Sequence, residues 1–170
     1  MVTLITGGIK SKKTSYGLFL GERYTSKAYI ATAEGFDEEM KHKIKMHQNE
    51  RGDSWKTIEE PIEILNILIT LKEDFIMIDC ITIWLNNLLY YKKDCDYYVD
   101  TFCNFLKSCN KEIVIVTNEI GLGVIPERKD VRDYVNRLGL ANQKIGNIAD
   151  TVVMMVSGIP LYIKGRGIVD

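Results

Sequence analysis

Five short runs along the chain are apolar at nearly every position: VTLIT (2–6), KAYIAT (27–32), FIMID (75–79), EIVIVT (112–117) and TVVMMV (151–156). A strand with one wet face alternates apolar and polar residues, whereas a parallel strand covered on both faces reads as a continuous β-branched run. The five runs therefore predict the central strands of a parallel sheet. A sixth, PLYIKG (160–165), follows its predecessor after one tight turn and predicts an antiparallel edge hairpin. Longer intervening segments predict helices over 13–24, 36–48, 61–72, 82–92, 96–109 and 130–148. In the last of these Tyr134, Leu138, Ala141, Ile145 and Ile148 recur at three and four residues and mark a buried face. With no repeat, low-complexity tract or linker, the alternation predicts one α/β domain over 1–170 with a mostly parallel sheet.

Composition agrees with that reading and narrows the partners. A chain of 170 residues that is 46% hydrophobic can bury a sizeable core, and a formal net charge of -1 gives no global field to draw it onto nucleic acid or an anionic membrane. The four cysteines, Cys80, Cys95, Cys103 and Cys109, form no C-x-x-C pair and have no histidine near them for a zinc site. Reduced thiols in a cytoplasmic protein are the simplest expectation. The first residues run directly into a strand with no basic leader, and no apolar stretch approaches the ~20 residues of a membrane span.

Chemistry in a parallel sheet gathers at the carboxyl ends of the strands. The first such end reads GGIKSKKT, Gly7 to Thr14, close to the phosphate loop G-x-x-x-x-G-K-[ST] but with Lys12 where the second glycine belongs. Between a strand and a helix N-terminus, backbone N–H groups converge on one spot and the helix dipole adds about half a positive charge. Gly7 allows the sharp turn, Lys13 reaches the β and γ phosphates, and the Thr14 hydroxyl suits Mg²⁺. The rival reading is a basic turn before a helix. A side chain at position 12 costs roughly 1 kcal/mol or more in a backbone that glycine would relax.

FIMID ends in Asp79, the place of a carboxylate that holds Mg²⁺ opposite a phosphate loop, although acids also close strands simply where the chain leaves the core. Together the two ends favour a P-loop NTPase site. The only histidines are His42 and His47. Phe36, Met40, Ile44 and His47 form one stripe of the 36–48 helix, whereas His42 falls among lysines on another face. His47 is either a packed structural histidine or, with Arg51 following to pair a phosphate, a nucleophile for a nucleotide's α-phosphorus.

Several blocks, LITGGIKSKKTS, YIATAEGFDEEMKHKIKMHQNERGDSWKTIEEP, DCITIWLNNLL, VIVTNEIGLGVIPE and LGLANQKIGNIADTVVMMVSGIPLYIKG, run almost end to end through the chain. In this set and order the sequence resembles the bifunctional adenosylcobinamide kinase and adenosylcobinamide-phosphate guanylyltransferase family of cobalamin biosynthesis. The resemblance implies a three-layer P-loop NTPase fold of the RecA-like kind, a homo-oligomer that in the family is often a trimer, and two reactions. ATP or GTP phosphorylates the terminal hydroxyl of the aminopropanol arm of adenosylcobinamide, and GMP then passes from GTP through a guanylylated histidine to the adenosylcobinamide-phosphate.

By the same resemblance His47 is the catalytic histidine, with Met46 where some members carry a neighbouring one. The nucleotide site it implies comprises Gly7, Gly8, Ile9, Lys10, Ser11, Lys12, Lys13 and Thr14, the turn Ala31, Thr32 and Ala33, then Gln48, Asn49, Glu50 and Arg51, and finally Glu59 and Asp79. Mg²⁺ falls to Thr14 and Asp79. The TNEIGLG stretch, with Asn118 and Glu119, sits at a strand's carboxyl end and faces either substrate or a neighbouring subunit. The family has glycine at the place of Lys12 and usually arginine at that of Lys43. A guanylyltransferase alone, a non-catalytic GTP-binding protein and another small-molecule P-loop kinase are the alternatives that the altered loop leaves open.

Overall fold

A computed structural model describes residues 1–35 and 54–165, and elements are numbered over these. The strands are β1 (Val2–Gly7), β2 (Lys27–Ala31), β3 (Lys56–Glu59), β4 (Phe75–Asp79), β5 (Glu112–Val116), β6 (Thr151–Val156) and β7 (Ile159–Lys164). The helices are α1 (Lys13–Gly21), α2 (Ile64–Thr70), α3 (Ile81–Tyr90), α4 (Cys95–Ser108) and α5 (Lys129–Ile148). They form one seven-stranded sheet in the order β3-β2-β4-β5-β1-β6-β7, parallel throughout except for the β6–β7 hairpin. The five apolar runs are its five inner strands. The hairpin turns through Ser157 and Gly158, both at positive φ (52° and 84°), as a tight two-residue connection requires.

The strand missed from sequence is β3, KTIE, which pairs with β2 from Ala28↔Lys56 to Ala31↔Glu59. It is an edge strand exposed along its length except at half-buried Ile58, so it carries no apolar run to be read. The helix expected over 36–48 lies outside the described residues.

Two apolar layers sandwich the sheet. Leu4, Ala28, Ile30, Ile76, Ile78, Ile113 and Ile115 pack against α2 to α5, and the expected α5 stripe is buried there at Leu138, Ala141 and Ile145. Ile5, Tyr29, Phe75, Met77, Val114 and Val153 face α1 and Trp55. Two glycines four residues apart on α1 set its distance from the sheet. A methyl group on Gly21 would lie 2.5 Å from the Trp55 ring, and one on Gly17 2.6 Å from Met77 Cε. Each glycine weakens the helix by about 1 kcal/mol against alanine, and the close approach gained sets the first turn of α1 beside the end of β4.

Register aligns the carboxyl ends. Glu59, Ala31, Asp79, Val116 and Ile5 are consecutive ladder partners from β3 across to β1, one row on the α1 side of the sheet. Among the described residues, the buried polar side chains other than Thr3 collect around this row: Thr6, Ser11, Lys13, Thr32, Thr82, Asn87, Thr117 and Asn142. Buried polar groups cost free energy unless paired, so their clustering marks the end of the sheet where position matters. A cavity of about 260 Å³ at the opposite end, lined by Met1, Arg23, Glu112 and Asp150 among others, holds none of the expected site residues.

Candidate nucleotide site

The loop from Gly7 into α1, expected to cradle phosphate, leads into a helix terminus with free amides. The first helical bond of α1 runs from Tyr16 N to Lys12 O (3.0 Å), so the amides of Lys13, Thr14 and Ser15 lack an intrahelical acceptor. No side chain caps this end and its first turn contains no acid. An uncapped helix terminus flanked by Lys10, Lys12 and Lys13 is a site for an anion.

Lys12 occupies the glycine position in the conformation that glycine would supply, φ 67° and ψ 27°. Lys10 also lies at positive φ, 57°. A left-handed lysine costs about 1–2 kcal/mol. Its side chain is exposed, and the stem runs past the β6–β7 turn: a methyl group on Gly158 would lie 3.2 Å from Lys12 Cδ. Gly7, at φ 145°, allows no side chain either, because a methyl there would fall 2.5 Å from the Met155 carbonyl oxygen.

Lys13 is buried under the loop, its Nζ donating to Gly8 O (2.5 Å) and Ser11 Oγ (3.4 Å). Burial pulls its ammonium below the ordinary value, against the opposing influence of Cys80 and Asp79. Desolvation pushes the Cys80 thiol up to about 12, so at neutral pH it is uncharged and Asp79 is the countercharge that acts. Asp79 ends β4 on the α1 face. Its Oδ2 accepts from Thr14 Oγ1 (2.7 Å) and from Tyr29 OH (2.6 Å). The hydroxyl and the carboxylate expected to share Mg²⁺ are thus in contact, and their hard oxygen donors beside a phosphate cradle fit that ion.

The turn Ala31 to Ala33 is held from three sides. Thr32 N donates to Asp79 O (3.0 Å), Thr32 Oγ1 donates to Cys80 O and accepts from Cys80 N (2.8 Å each), and Glu60 N donates to Ala31 O (2.9 Å). Asn87 of α3, 1% exposed, donates to Thr32 O (2.7 Å) and to Pro61 O (3.2 Å), fastening this turn to the end of β3. Ala31 and Glu59 are ladder partners, so the turn and Glu59 stand together on the β3 side of Asp79. Gly7 to Thr14, Ala31 to Ala33, Glu59 and Asp79 accordingly share one end of the sheet. His47, Gln48, Asn49, Glu50 and Arg51 lie outside the described residues.

Sequence reasoning missed the polar support behind β5. Thr117 Oγ1 donates to Asn142 Oδ1 (2.8 Å), Asn142 Nδ2 donates to Asn118 O (3.1 Å), and Asn118 N donates to Thr82 Oγ1 (2.7 Å). Tyr134 OH donates to Thr82 O (2.8 Å). The signal available was Asn142 on the buried stripe of α5, one residue after Ala141. Trp84, 1% exposed, belongs to the core, and all four cysteines are free. No described helix is long and apolar enough to cross a membrane.

Comparison with known proteins gives this geometry a context. Two solved ATPases share the fold. The VirB11 ATPase of the Brucella suis type IV secretion system, solved with sulphate, aligns at a TM-score of 0.50 and 11% identity over 96% of this chain and 47% of its own. A prototypical ATPase from a type III secretion system of pathogenic bacteria aligns at 0.51 and 9% identity over 91% and 51%. This chain spans about half the length of either. At such identities the likeness shows the fold alone, the three-layer P-loop arrangement that the sequence leads one to expect. The bifunctional adenosylcobalamin biosynthesis protein CobP of Pseudomonas aeruginosa is 35% identical over 98% of this chain and 99% of its own length. The corresponding protein CobU of Salmonella typhimurium is 31% identical over 96% and 100%. The pattern of the family described as cobinamide kinase / cobinamide phosphate guanyltransferase matches residues 3–163, and the chain belongs to that family.

Proposed function

We propose that this chain, as one unit over 1–170 in the cytoplasm, phosphorylates adenosylcobinamide with ATP or GTP and transfers GMP from GTP to the resulting phosphate through guanylylated His47. The observation that carries the reading is the contact of Thr14 with Asp79 at an uncapped, lysine-flanked helix terminus in a chain of this family. Mg²⁺ held by these two oxygens would neutralise phosphate charge when bound. The free amides of α1 orient the phosphates and Lys13 balances the charge that develops on them. In the second reaction a His47 ring nitrogen attacks the α-phosphorus, the bond to pyrophosphate breaks, and the GMP passes to an oxygen of adenosylcobinamide-phosphate, freeing the histidine. Ala31 to Ala33, Gln48 to Arg51 and Glu59 contribute to holding the nucleotide.

Lys12 supports retention of both reactions, because it keeps the loop in the backbone form that a glycine would adopt. The chain also assembles with copies of itself, as a trimer: Ile159, Leu161 and Ile163 project from one face of β7 and are more than half exposed, beside exposed Val156 of β6. Incubation with α-labelled GTP tests the histidine. An acid-labile, alkali-stable adduct that disappears in His47→Ala is the expected result, and intact GTP binding without any adduct in the wild type refutes it. Resolution of adenosylcobinamide-phosphate from adenosylcobinamide-GDP in a reaction with ATP, GTP and Mg²⁺ tests the pair of activities.

A further inference from the structure

The two reactions differ in what they ask of the acceptor. The kinase step uses a neutral alcohol, whose proton must leave as the new bond forms, whereas the guanylyl transfer uses a phosphate that is already an anion. A base is needed for the first and not for the second. Asp79 is an unsuitable base, since its Oδ2 already accepts hydrogen bonds from two hydroxyls. Glu60 accepts from the Ile62 and Glu63 amides, and Glu34 from Tyr91 OH. Glu59 stands on β3, four strand spacings or about 19 Å from β1.

Glu119 differs from all of these. It lies just beyond β5, between the strand of Asp79 and the strand of the phosphate loop, and its backbone N–H donates to Gly7 O at 3.1 Å. Its Oε2 has only long contacts, to Thr6 Oγ1 and Asn142 Nδ2 at 3.5 Å each, and among the described residues it forms no ion pair. The carboxylate is half-buried. The backbone that carries it is fixed from behind by the Thr82, Thr117 and Asn142 network, each member buried. A carboxylate held in place through its main chain, with its oxygens left weakly engaged beside the loop, is arranged to accept a proton.

We propose that Glu119 is the general base of the kinase step, an assignment that rests on the kinase reading above. The acceptor hydroxyl oxygen bonds to the γ-phosphorus and its proton passes to the Glu119 carboxylate. The bond from the γ-phosphorus to the bridging oxygen breaks, its electron pair leaving with the nucleoside diphosphate, and Glu119 returns the proton to solvent.

Glu119→Gln keeps the shape of the side chain and removes the base. In the full chain with ATP, Mg²⁺ and adenosylcobinamide, kcat for phosphorylation is expected to fall about 10²–10⁴-fold, with nucleotide Kd and GMP transfer to supplied adenosylcobinamide-phosphate retained. Glu119→Asp, which restores a carboxylate, recovers part of the loss. Phosphorylation at the wild-type rate in Glu119→Gln overturns the assignment, and so does parallel loss of both reactions with weakened nucleotide binding, which marks a structural role. If the wild-type chain itself phosphorylates no adenosylcobinamide, the kinase reading falls and this assignment with it. A working wild type matched by Glu119→Gln sinks the assignment alone.

Discussion

Replacing Asn87 with alanine tests whether the end of β2 is held in place from α3. The side chain is 1% exposed and spends its amide protons on Thr32 O at 2.7 Å and Pro61 O at 3.2 Å. Thr32 is itself 0% exposed, so its carbonyl loses its donor where water has no access, at about 1–3 kcal/mol. Pro61 is half-buried and can turn to water, so its bond is worth only the net value of about 0.5–1.5 kcal/mol. Alanine is the better helix former by about 0.5 kcal/mol, which offsets part of this. The balance is a loss of about 2.5 kcal/mol, or roughly 60-fold in the folding equilibrium. Urea unfolding measures it as a lower midpoint at unchanged slope. Nucleotide affinity, measured where both proteins are fully folded, should fall as well, because the Ala31 to Ala33 turn is what Asn87 fastens. A stability change under about 0.5 kcal/mol would show that the turn stands without this clasp.

Two further substitutions probe the ends of the sheet. Gly158→Ala forces a side chain into φ 84° and against the Lys12 stem; a loss of about 1–2 kcal/mol, some 2–6 °C in Tm, is expected together with weaker nucleoside triphosphate binding. No change in either would show that Lys12 does not rest on the turn. Glu112, at the start of β5, has its carboxyl raised above the ordinary value by burial, only partly relieved by the Met1 ammonium 4.0 Å away and by Arg23, with Asp150 adding to the rise. A raised carboxyl stabilises the fold most below its ordinary value, and that contribution is lost as pH rises through the folded value. Glu112→Gln should therefore gain on the wild type as pH climbs from about 4 to about 7, and a difference that is flat across this window in thermal unfolding would contradict the burial argument.

What the sequence made legible follows from what each residue has to satisfy. The inner strands were plain because both faces are covered, so every position from Phe75 to Ile78 is apolar and buried. The contact of Thr14 with Asp79 could be anticipated because a phosphate-loop pattern opening a helix and an acid closing a nearby strand are both local in sequence. β3 was hidden because its stability comes from its ladder with β2 and not from its side chains. Trp55, buried against Phe75 and Tyr29 in edge-on contacts, was hidden with it. Asn86 and Asn87 are neighbours of the same chemical type in one helix, one exposed and one buried. Only the helical phase, three residues on from Trp84, separates them, and only the fold shows the carbonyls that Asn87 meets. Glu119 and Asn142 are joined by strand order and helix packing, neither of which is written locally.

Lys12 shows how a motif should be read when one letter is wrong. The glycine of a phosphate loop supplies a backbone conformation and an absence of bulk, and the two can be judged separately. Lys12 supplies the conformation, with φ 67° and ψ 27°, at a cost of about 1–2 kcal/mol that the rest of the fold absorbs. Its bulk is carried outward, past a turn that has glycine at position 158, where any side chain would meet its stem. The substitution and the bare turn are thus complementary features of two segments far apart in sequence. With Lys10 and Lys13 it also concentrates three positive charges at the helix terminus of a chain whose formal net charge is -1. For a substrate carrying a triphosphate, that local field strengthens the cradle.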